Sequence, residues 1–209
     1  MLCSVCERSD RLWRLLYPYV ALTVISLDLP GSFAVQLARW HGCRVLTTCH
    51  STQLDRVQAY QPADVVAFDK ENFRERFSGV DAVVECAGGK PAIADSFAVM
   101  NRGGTYVTLS GDLLHETDRL GAWQGLSSGL LSLAQLRARY FLMYGMHYNW
   151  SYVIASGRNL AQIGRLVEDG TLKLHFDRAF PLEQAKDALA YVAEGRNNGK
   201  VALQVVSDA

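Results

Sequence analysis

The sequence lacks a net charge, a second cysteine pair and a disulfide-like cysteine pattern, and each absence excludes a class of protein. Its 21 basic and 21 acidic residues cancel, so there is no basic excess of the kind that nucleic-acid binding normally needs. Cys3 and Cys6 form a C-x-x-C pair, but a zinc ribbon requires a second such pair and none follows. The five cysteines are odd in number, which is not typical of a secreted disulfide framework.

A long apolar run is also missing. The run from Leu15 to Leu27 is shorter than the ~20 residues that a membrane span needs, and Pro18 interrupts it. Glu7 and Asp10 lie in the arginine-containing lead-in, whereas mitochondrial presequences are usually poor in acids. We therefore interpret this region as the lead-in to a first buried strand, expect no transmembrane segment, and leave a cytoplasmic location open.

Strand-like and helix-like segments alternate along most of the chain. Apolar, β-branched runs typical of strands are Val20–Ser26, Arg44–Cys49, Asp64–Phe68, Asp81–Cys86 and Gly104–Leu109. Strands that alternate with helices predict βαβ units and a mostly parallel sheet, and strands that are apolar throughout predict a sheet covered on both faces. The predicted fold class is therefore α/β, a doubly wound parallel sheet of Rossmann type. Leu133 to Tyr144 is undecided between strand and helix.

Three stretches resemble the medium-chain dehydrogenase/reductase superfamily. Phe180 to Val206, FPLEQAKDALAYVAEGRNNGKVALQVV, resembles the closing segment of its quinone-oxidoreductase branch, and Ser32 to Val45 is similar to its first helix and second strand. The strand GTYVTL, followed by Asp118–Gly121 and Gly145–Gly157, resembles a mitochondrial subfamily of reticulon-interacting oxidoreductases tied to ubiquinone biosynthesis. The resemblance implies a zinc-independent, NADPH-dependent reductase of a quinone, an enone or a carbonyl compound. It further implies a mitochondrial location and a membrane reticulon protein as a partner.

The resemblance also implies a division into segments. Residues 1–30 match nothing in the superfamily and form a lead-in with a candidate first strand. Residues 31–178 would be the NADPH-binding domain, and residues 179–209 the closing helix and strand of a GroES-like substrate domain, most of which precedes the nucleotide fold in family members. Without that domain, the strand at Lys200 to Val206 is predicted to expose an unpaired apolar edge.

The sequence and its resemblance to the family leave open whether the chain is an enzyme. The first hypothesis is the oxidoreductase that the resemblance implies. The second is a catalytically incompetent, truncated isoform that acts as an interaction module or has no activity. This hypothesis arises because the stretches that resemble the family do not include most of its substrate domain. A Rossmann-type methyltransferase is disfavoured, since methyltransferases lack the closing segment.

The phosphate-binding loop departs from the family pattern. Family members have a glycine-rich loop before the first helix, whereas this chain reads SLDLPG from Ser26 to Gly31, and only Gly31 remains. Pro30 has no N–H to offer a phosphate, and Asp28 either adds a negative charge or caps the helix. We therefore expect weak dinucleotide binding.

The candidate cofactor-binding residues follow the predicted strands, where doubly wound sheets bind ligands. By resemblance, Phe68 would flank the adenine, Ala87, Gly88 and Gly89 would lie beside the nicotinamide ribose, Leu109 and Ser110 would lie under the nicotinamide, and His147 and Tyr148 would face the cofactor or substrate. Core packing or a plain turn is the structural alternative for each residue. We assign no catalytic residue, because hydride moves from the nicotinamide and the protein mainly positions it, and we expect no metal site.

The turn after the second strand favours NADPH over NADH. NAD-binding folds place an acid there to bind the ribose 2′-hydroxyl, but this chain reads Cys49-His50-Ser51-Thr52, with Asp55 as the nearest acid. His50 and Ser51 can instead donate to a 2′-phosphate, unless the turn is merely solvated. Without a repelling carboxylate, we expect NADPH to bind about tenfold more tightly than NADH.

Overall fold

A computed structural model of the chain describes residues 20–24, 29–86, 90–109, 117–119, 121–151, 155–194, 197 and 199–205. The chain divides into two compact units, Met1–Asn159 and Leu160–Ala209. The strands of the first unit are β1 (Val20–Val24), β2 (Arg44–Cys49), β3 (Asp64–Ala67), β4 (Val80–Glu85), β5 (Met100–Thr108) and β6 (His147–Trp150). Its helices are α1 (Leu29–Trp40), α2 (Leu54–Ala59), α3 (Phe73–Arg76), α4 (Lys90–Val99) and α5 (Ala122–Tyr144).

The six described strands of the first unit form one parallel sheet in the order β3-β2-β1-β4-β5-β6. This is the strand order of dinucleotide-binding Rossmann folds, and it confirms the predicted fold class. The chain builds outward from β1 to β3 and then returns to place β4 on the other side of β1. Ligands of such sheets bind at the carboxyl ends of the strands, near this reversal.

The sheet is packed on both faces, as the apolar strands predict. Val45 and Leu46 are neighbours on β2, yet they belong to different hydrophobic clusters. The cluster of Leu46 contains residues of α4 and α5, and the cluster of Val45 contains residues of α1 and α2. Because successive side chains of a strand point to opposite faces, helices cover both sides of β2.

The segment that the sequence left undecided is helical. Leu133 to Tyr144 forms the second half of α5, which ends at Gly145, where a φ of 71° and an N–H bond of 2.8 Å to the Phe141 carbonyl close the helix. A left-handed residue of this kind is usually glycine. The apolar helical spacing of this stretch therefore prevails over the strand preference of its aromatic residues.

The fifth strand begins earlier than the sequence predicts, at Met100 instead of Gly104. A Cβ on Gly104 would lie 2.8 Å from the Asn101 carbonyl oxygen and 2.9 Å from that of Asp81. The pairing of β4 with β5 shifts register between Val80 and Ala82. Gly104 therefore lies inside an irregular part of the strand, where only a glycine fits, and does not form the turn that precedes it.

The second unit contains α6 (Gly157–Glu168), of which the first three residues belong to the first unit, together with β7 (Phe176–Pro181), α7 (Ala185–Ala193) and β8 (Lys200–Gln204). β7 and β8 form a two-stranded parallel sheet. Within the described residues β8 has β7 as its only neighbour, and Leu203 on β8 is 42% exposed. The predicted domain boundary at residue 178 falls inside β7, and the origin of residues 179–209 in a substrate domain stays a prediction.

Two stacked tyrosines in the first unit differ in hydrogen bonding and give a stability test. Their rings lie 5.6 Å apart; the Tyr148 hydroxyl accepts the indole N–H of Trp150 at 3.1 Å, whereas the buried Tyr106 hydroxyl has no partner in the described part of the chain. We expect Tyr148→Phe to lower the free energy of unfolding by about 1–3 kcal/mol, because it removes the acceptor of the buried indole N–H of Trp150. Tyr106→Phe, its matched control, should leave that energy unchanged or raise it by up to ~1 kcal/mol. Urea unfolding measures both, and the reverse order would contradict this account.

Candidate functional site

Main-chain hydrogen bonds continue beyond the strands and align the residues that follow them. The N–H of Phe68 donates to the Cys49 carbonyl at 3.0 Å, and the N–H of Leu109 donates to the Glu85 carbonyl at 3.0 Å. We call the residues immediately after β2, β3, β4, β5 and β6 the carboxyl edge. The structure brings His50, Ser51, Phe68 and Leu109, all predicted from the sequence, to this edge.

Phe68 is an exposed aromatic side chain on this edge. Its ring is 52% exposed and meets the His50 ring edge-on, with centroids 5.9 Å apart and planes at 75°. Ordinary core packing, the alternative that the sequence left open for Phe68, therefore does not describe it. An accessible phenyl ring can stack with an aromatic base, and contact with adenine stays a prediction.

Asp69 is an acid that the sequence reasoning missed. Its Oδ1 accepts the N–H of Ser51 at 2.7 Å, and its Oδ2 lies 3.9 Å from Nε2 of His50. A side-chain hydrogen bond from Ser51, followed by the Ser51 N–H and the charge of His50, lowers the pKa of the Asp69 carboxyl. The premise that Asp55 is the nearest acid is therefore wrong: Ser51 and Asp69 are distant in sequence but adjacent in space. Comparing the ends of neighbouring strands would have found it.

A buried carboxyl group lies between β4 and β5, and the sequence reasoning missed it too. The Thr108 hydroxyl donates to Oε2 of Glu85 at 2.6 Å, and both residues are buried. Burial, and then the charge of Glu85, raises the pKa of Cys86 to about 12, so this thiol is not a thiolate at neutral pH. The available signal was a single charge near the end of the apolar run DAVVEC.

Several predicted residues lie away from this edge or outside the described residues. His147 begins β6 and pairs with Thr105, so it lies at the opposite end of the strand, where its ring contacts Phe141 at 5.4 Å. Tyr148 is buried against Tyr106. Neither residue reaches the carboxyl edge, and we leave both out of the candidate site. Ala87, Gly88, Gly89 and Ser110 lie outside the described residues.

The first turn of α1 is the described part of the phosphate-binding region. Gly31 is buried there, one residue after Pro30, and proline is tolerated in a first helical turn because its missing N–H would be unpaired anyway. It nevertheless removes one donor from the helix end that binds phosphate in Rossmann folds. Asp28 lies outside the described residues.

Neither a metal-ligand cluster nor a membrane-spanning helix occurs within the described ranges. There, no three side chains of His, Cys, Asp or Glu converge as metal ligands would. No helix there is long and apolar enough to cross a membrane.

Comparisons with known proteins agree with this architecture. Residues 53–203 match the family model described as zinc-binding dehydrogenase. The chain is 28% identical over 180 residues to the mitochondrial NAD(P)H oxidoreductase RTN4IP1 of Mus musculus. The matched region covers 84% of this chain and 45% of that relative. The Homo sapiens protein of the same name is 27% identical. The chain thus spans about half the length of these relatives.

Solved structures show the same fold. A quinone oxidoreductase from Coxiella burnetii has a TM-score of 0.70 at 19% identity, covering 96% of this chain and 57% of that one. An NAD-dependent alcohol dehydrogenase has a TM-score of 0.69 at 24% identity, covering 95% of this chain and 54% of that one. At such identities the likeness concerns the fold alone.

The buried Glu85–Thr108 bond gives a second stability test. Thr108→Val keeps the side-chain volume but removes the hydroxyl donor from a buried carboxyl, and we expect it to lower the free energy of unfolding by about 1–3 kcal/mol. Thr105→Val is the matched control on the same strand, where the side chain is half-buried, and its effect should stay within ~0.5 kcal/mol. Urea unfolding of both variants checks this, and equal losses would show that the bond is not what stabilises this position.

Proposed function

The chain belongs to the zinc-binding dehydrogenase family, in the quinone-oxidoreductase-like part of the medium-chain dehydrogenase/reductase superfamily, and we propose that it is an oxidoreductase that binds a nicotinamide dinucleotide. When bound, such a nucleotide supplies the hydride that reduces the substrate. The proposed substrates are quinones, enones or carbonyl compounds, by resemblance to the quinone-oxidoreductase branch. Relatives that are named as oxidoreductases favour this function over a purely structural interaction module.

One observation carries the proposal: the parallel order β3-β2-β1-β4-β5-β6 with polar and aromatic side chains gathered on its carboxyl edge. Doubly wound sheets of this order bind dinucleotides across that edge. At this edge Phe68 is exposed, and the carbonyl of the buried Glu85 accepts the N–H of Leu109.

The described residues fit the adenosine half of a dinucleotide. Phe68 offers an accessible ring for the base, and His50, Ser51 and Asp69 lie together beside it, where the ribose-reading residues of such folds lie. Gly31 lies in the helix turn that would approach the pyrophosphate. Within the described ranges no three His, Cys, Asp or Glu side chains could hold a metal ion, and we derive no step through a metal.

This chain's own contribution is positioning. Leu109, half-buried after β5, would form part of the surface beneath the nicotinamide, and the Glu85–Thr108 bond joins the end of β4 to the end of β5, which Leu109 follows. Hydride transfer of this kind depends on how the protein orients the nucleotide and excludes water. We therefore assign no general acid or base.

Three more specific proposals concern which dinucleotide the chain prefers, where in the cell it is located and which protein it binds. The sequence favours NADPH on the donors of His50 and Ser51, but both residues face the Asp69 carboxylate, so the choice between NADPH and NADH depends on that carboxylate. A mitochondrial location, a link to ubiquinone biosynthesis and a membrane reticulon partner rest on resemblance to the mitochondrial relatives.

The proposal predicts measurable but weak nucleotide binding. We expect calorimetric or fluorescence titration of the full chain with NADH and NADPH to give dissociation constants above ~1 µM, because the loop before α1 lacks its glycines and Pro30 has no N–H. Replacing Asp28 and Leu29 together by glycine should tighten binding of either dinucleotide several-fold. AMP has no pyrophosphate and serves as the control ligand, with an affinity that this double variant should leave unchanged.

Catalysis is tested by mixing the chain with a reduced nucleotide and a soluble quinone and following the absorbance of the reduced nicotinamide. Loss of that absorbance only in the presence of all three components would support the function. If neither dinucleotide bound to the chain or to its glycine-restored variant, the proposed function would be wrong.

A further inference from the structure

Hydrogen bonds and a ring contact connect the turns after β2 and β3, and these contacts fix the position of Asp69. The Phe68 N–H donates to the Cys49 carbonyl at 3.0 Å, and the Ser51 N–H donates to Oδ1 of Asp69 at 2.7 Å. The ring of Phe68 also meets that of His50. Two main-chain donors and one ring contact therefore hold the carboxylate of β3 against the turn of β2.

The main-chain donors of this turn already have acceptors. The N–H of Ser51 is used by Asp69, that of Thr52 donates to Nδ1 of His50 at 3.3 Å, and that of Gln53 donates to the His50 carbonyl at 2.9 Å. A phosphate-binding turn instead offers its N–H groups to the ligand. The turn therefore presents no set of main-chain donors to a 2′-phosphate.

The orientation of His50 follows from the same contacts. Nδ1 accepts the Thr52 N–H at 3.3 Å and lies 3.0 Å from the Thr52 hydroxyl, and Nε2 lies 3.9 Å from Oδ2 of Asp69. The ring nitrogen that Thr52 does not engage thus faces a carboxylate. The hydrogen bonds from Ser51 lower the pKa of that carboxyl, so it is ionised at neutral pH.

We propose that Asp69 is the residue that discriminates between NADH and NADPH in this protein. It supplies, from the end of β3, the acid that NAD-binding Rossmann folds carry at the end of β2. Its carboxylate accepts a hydrogen bond from a ribose 2′-hydroxyl and repels a 2′-phosphate. This inference rests on the proposed function, that the chain binds a nicotinamide dinucleotide, and it opposes the NADPH preference that the sequence favours.

The other charged side chains near this turn, Asp55 and Arg56, do not take the role that we propose for the Asp69 carboxylate. Burial raises the pKa of the Cys49 thiol at the end of β2; the charge of Asp69 raises it further and that of Arg56 lowers it. Arg56 has an interaction partner of its own, and Asp55 is exposed on α2 without a contact to the turn in the described residues. Asp69 is thus the charge that bonds directly to the ribose-reading turn.

The test compares Asp69→Asn with Asp55→Asn in the full chain. Asparagine keeps the size of the side chain and its acceptor for the Ser51 N–H but removes the charge; Asp55→Asn makes the same charge change nearby. Dissociation constants for NADH and NADPH are measured by calorimetry, so the readout is independent of turnover. We expect the wild type to bind NADH at least as tightly as NADPH, and Asp69→Asn to shift the affinity ratio toward NADPH by about tenfold, while Asp55→Asn changes it less than about twofold.

A second measurement needs no variant. If a carboxylate repels the 2′-phosphate of the wild type, raising the salt concentration should weaken the repulsion and shift the ratio toward NADPH. For Asp69→Asn this salt effect should be smaller.

The outcomes separate the inference from the function it rests on. Binding of both nucleotides with a ratio that Asp69→Asn leaves unchanged, or that Asp55→Asn shifts equally, overturns the role of Asp69 alone. A wild type that binds NADPH about tenfold more tightly than NADH also overturns it. No binding of either nucleotide to any variant overturns the proposed function as well.

Discussion

One constraint governs the site: all six strands of the main sheet run in the same direction. Parallel neighbours cannot be joined by a hairpin, so each strand is followed by a crossover, and every strand ends at the same edge. Residues far apart in the sequence, such as His50, Phe68, Glu85 and Leu109, therefore become neighbours. Helices cover both faces of the sheet, so a ligand of such a fold binds at this edge and not on a face.

Much of this fold could be predicted from the sequence, because parallel strands buried on both faces are apolar runs separated by helices. β2 and β3 come within a residue of their predicted ends. The sequence left a segment undecided, or misplaced a strand boundary, where local signals conflict. Leu133 to Tyr144 mixes aromatic residues with helical spacing, and Gly104 carries the signature of a turn although the main chain of Asn101 and Asp81 approaches it inside β5.

The site was less predictable, because the sequence says which residues follow a strand but not which strands are neighbours. His50, Ser51 and Phe68 could be named as candidates from position alone. The bond between Ser51 and Asp69 could not, since it crosses from the turn of one strand to the turn of another. Glu85 was missed for a different reason: a charge inside an apolar strand is usually placed outside the core, whereas the Thr108 hydroxyl makes its burial possible.

The register between β2 and β3 determines which side chain reaches the turn after β2. Cys49 pairs with Ala67, and when this pairing is extended by two residues, His50 lies opposite Phe68 and Ser51 opposite Asp69, in agreement with the ring contact and the N–H bond. A slip of one residue would place Phe68 against Ser51 and turn the carboxylate to the other face. The buried residues Val45, Leu46 and Val66 hold this register through their clusters. The chemistry that this turn would offer to the proposed nucleotide therefore depends on the core beneath it as much as on the exposed residues of the turn.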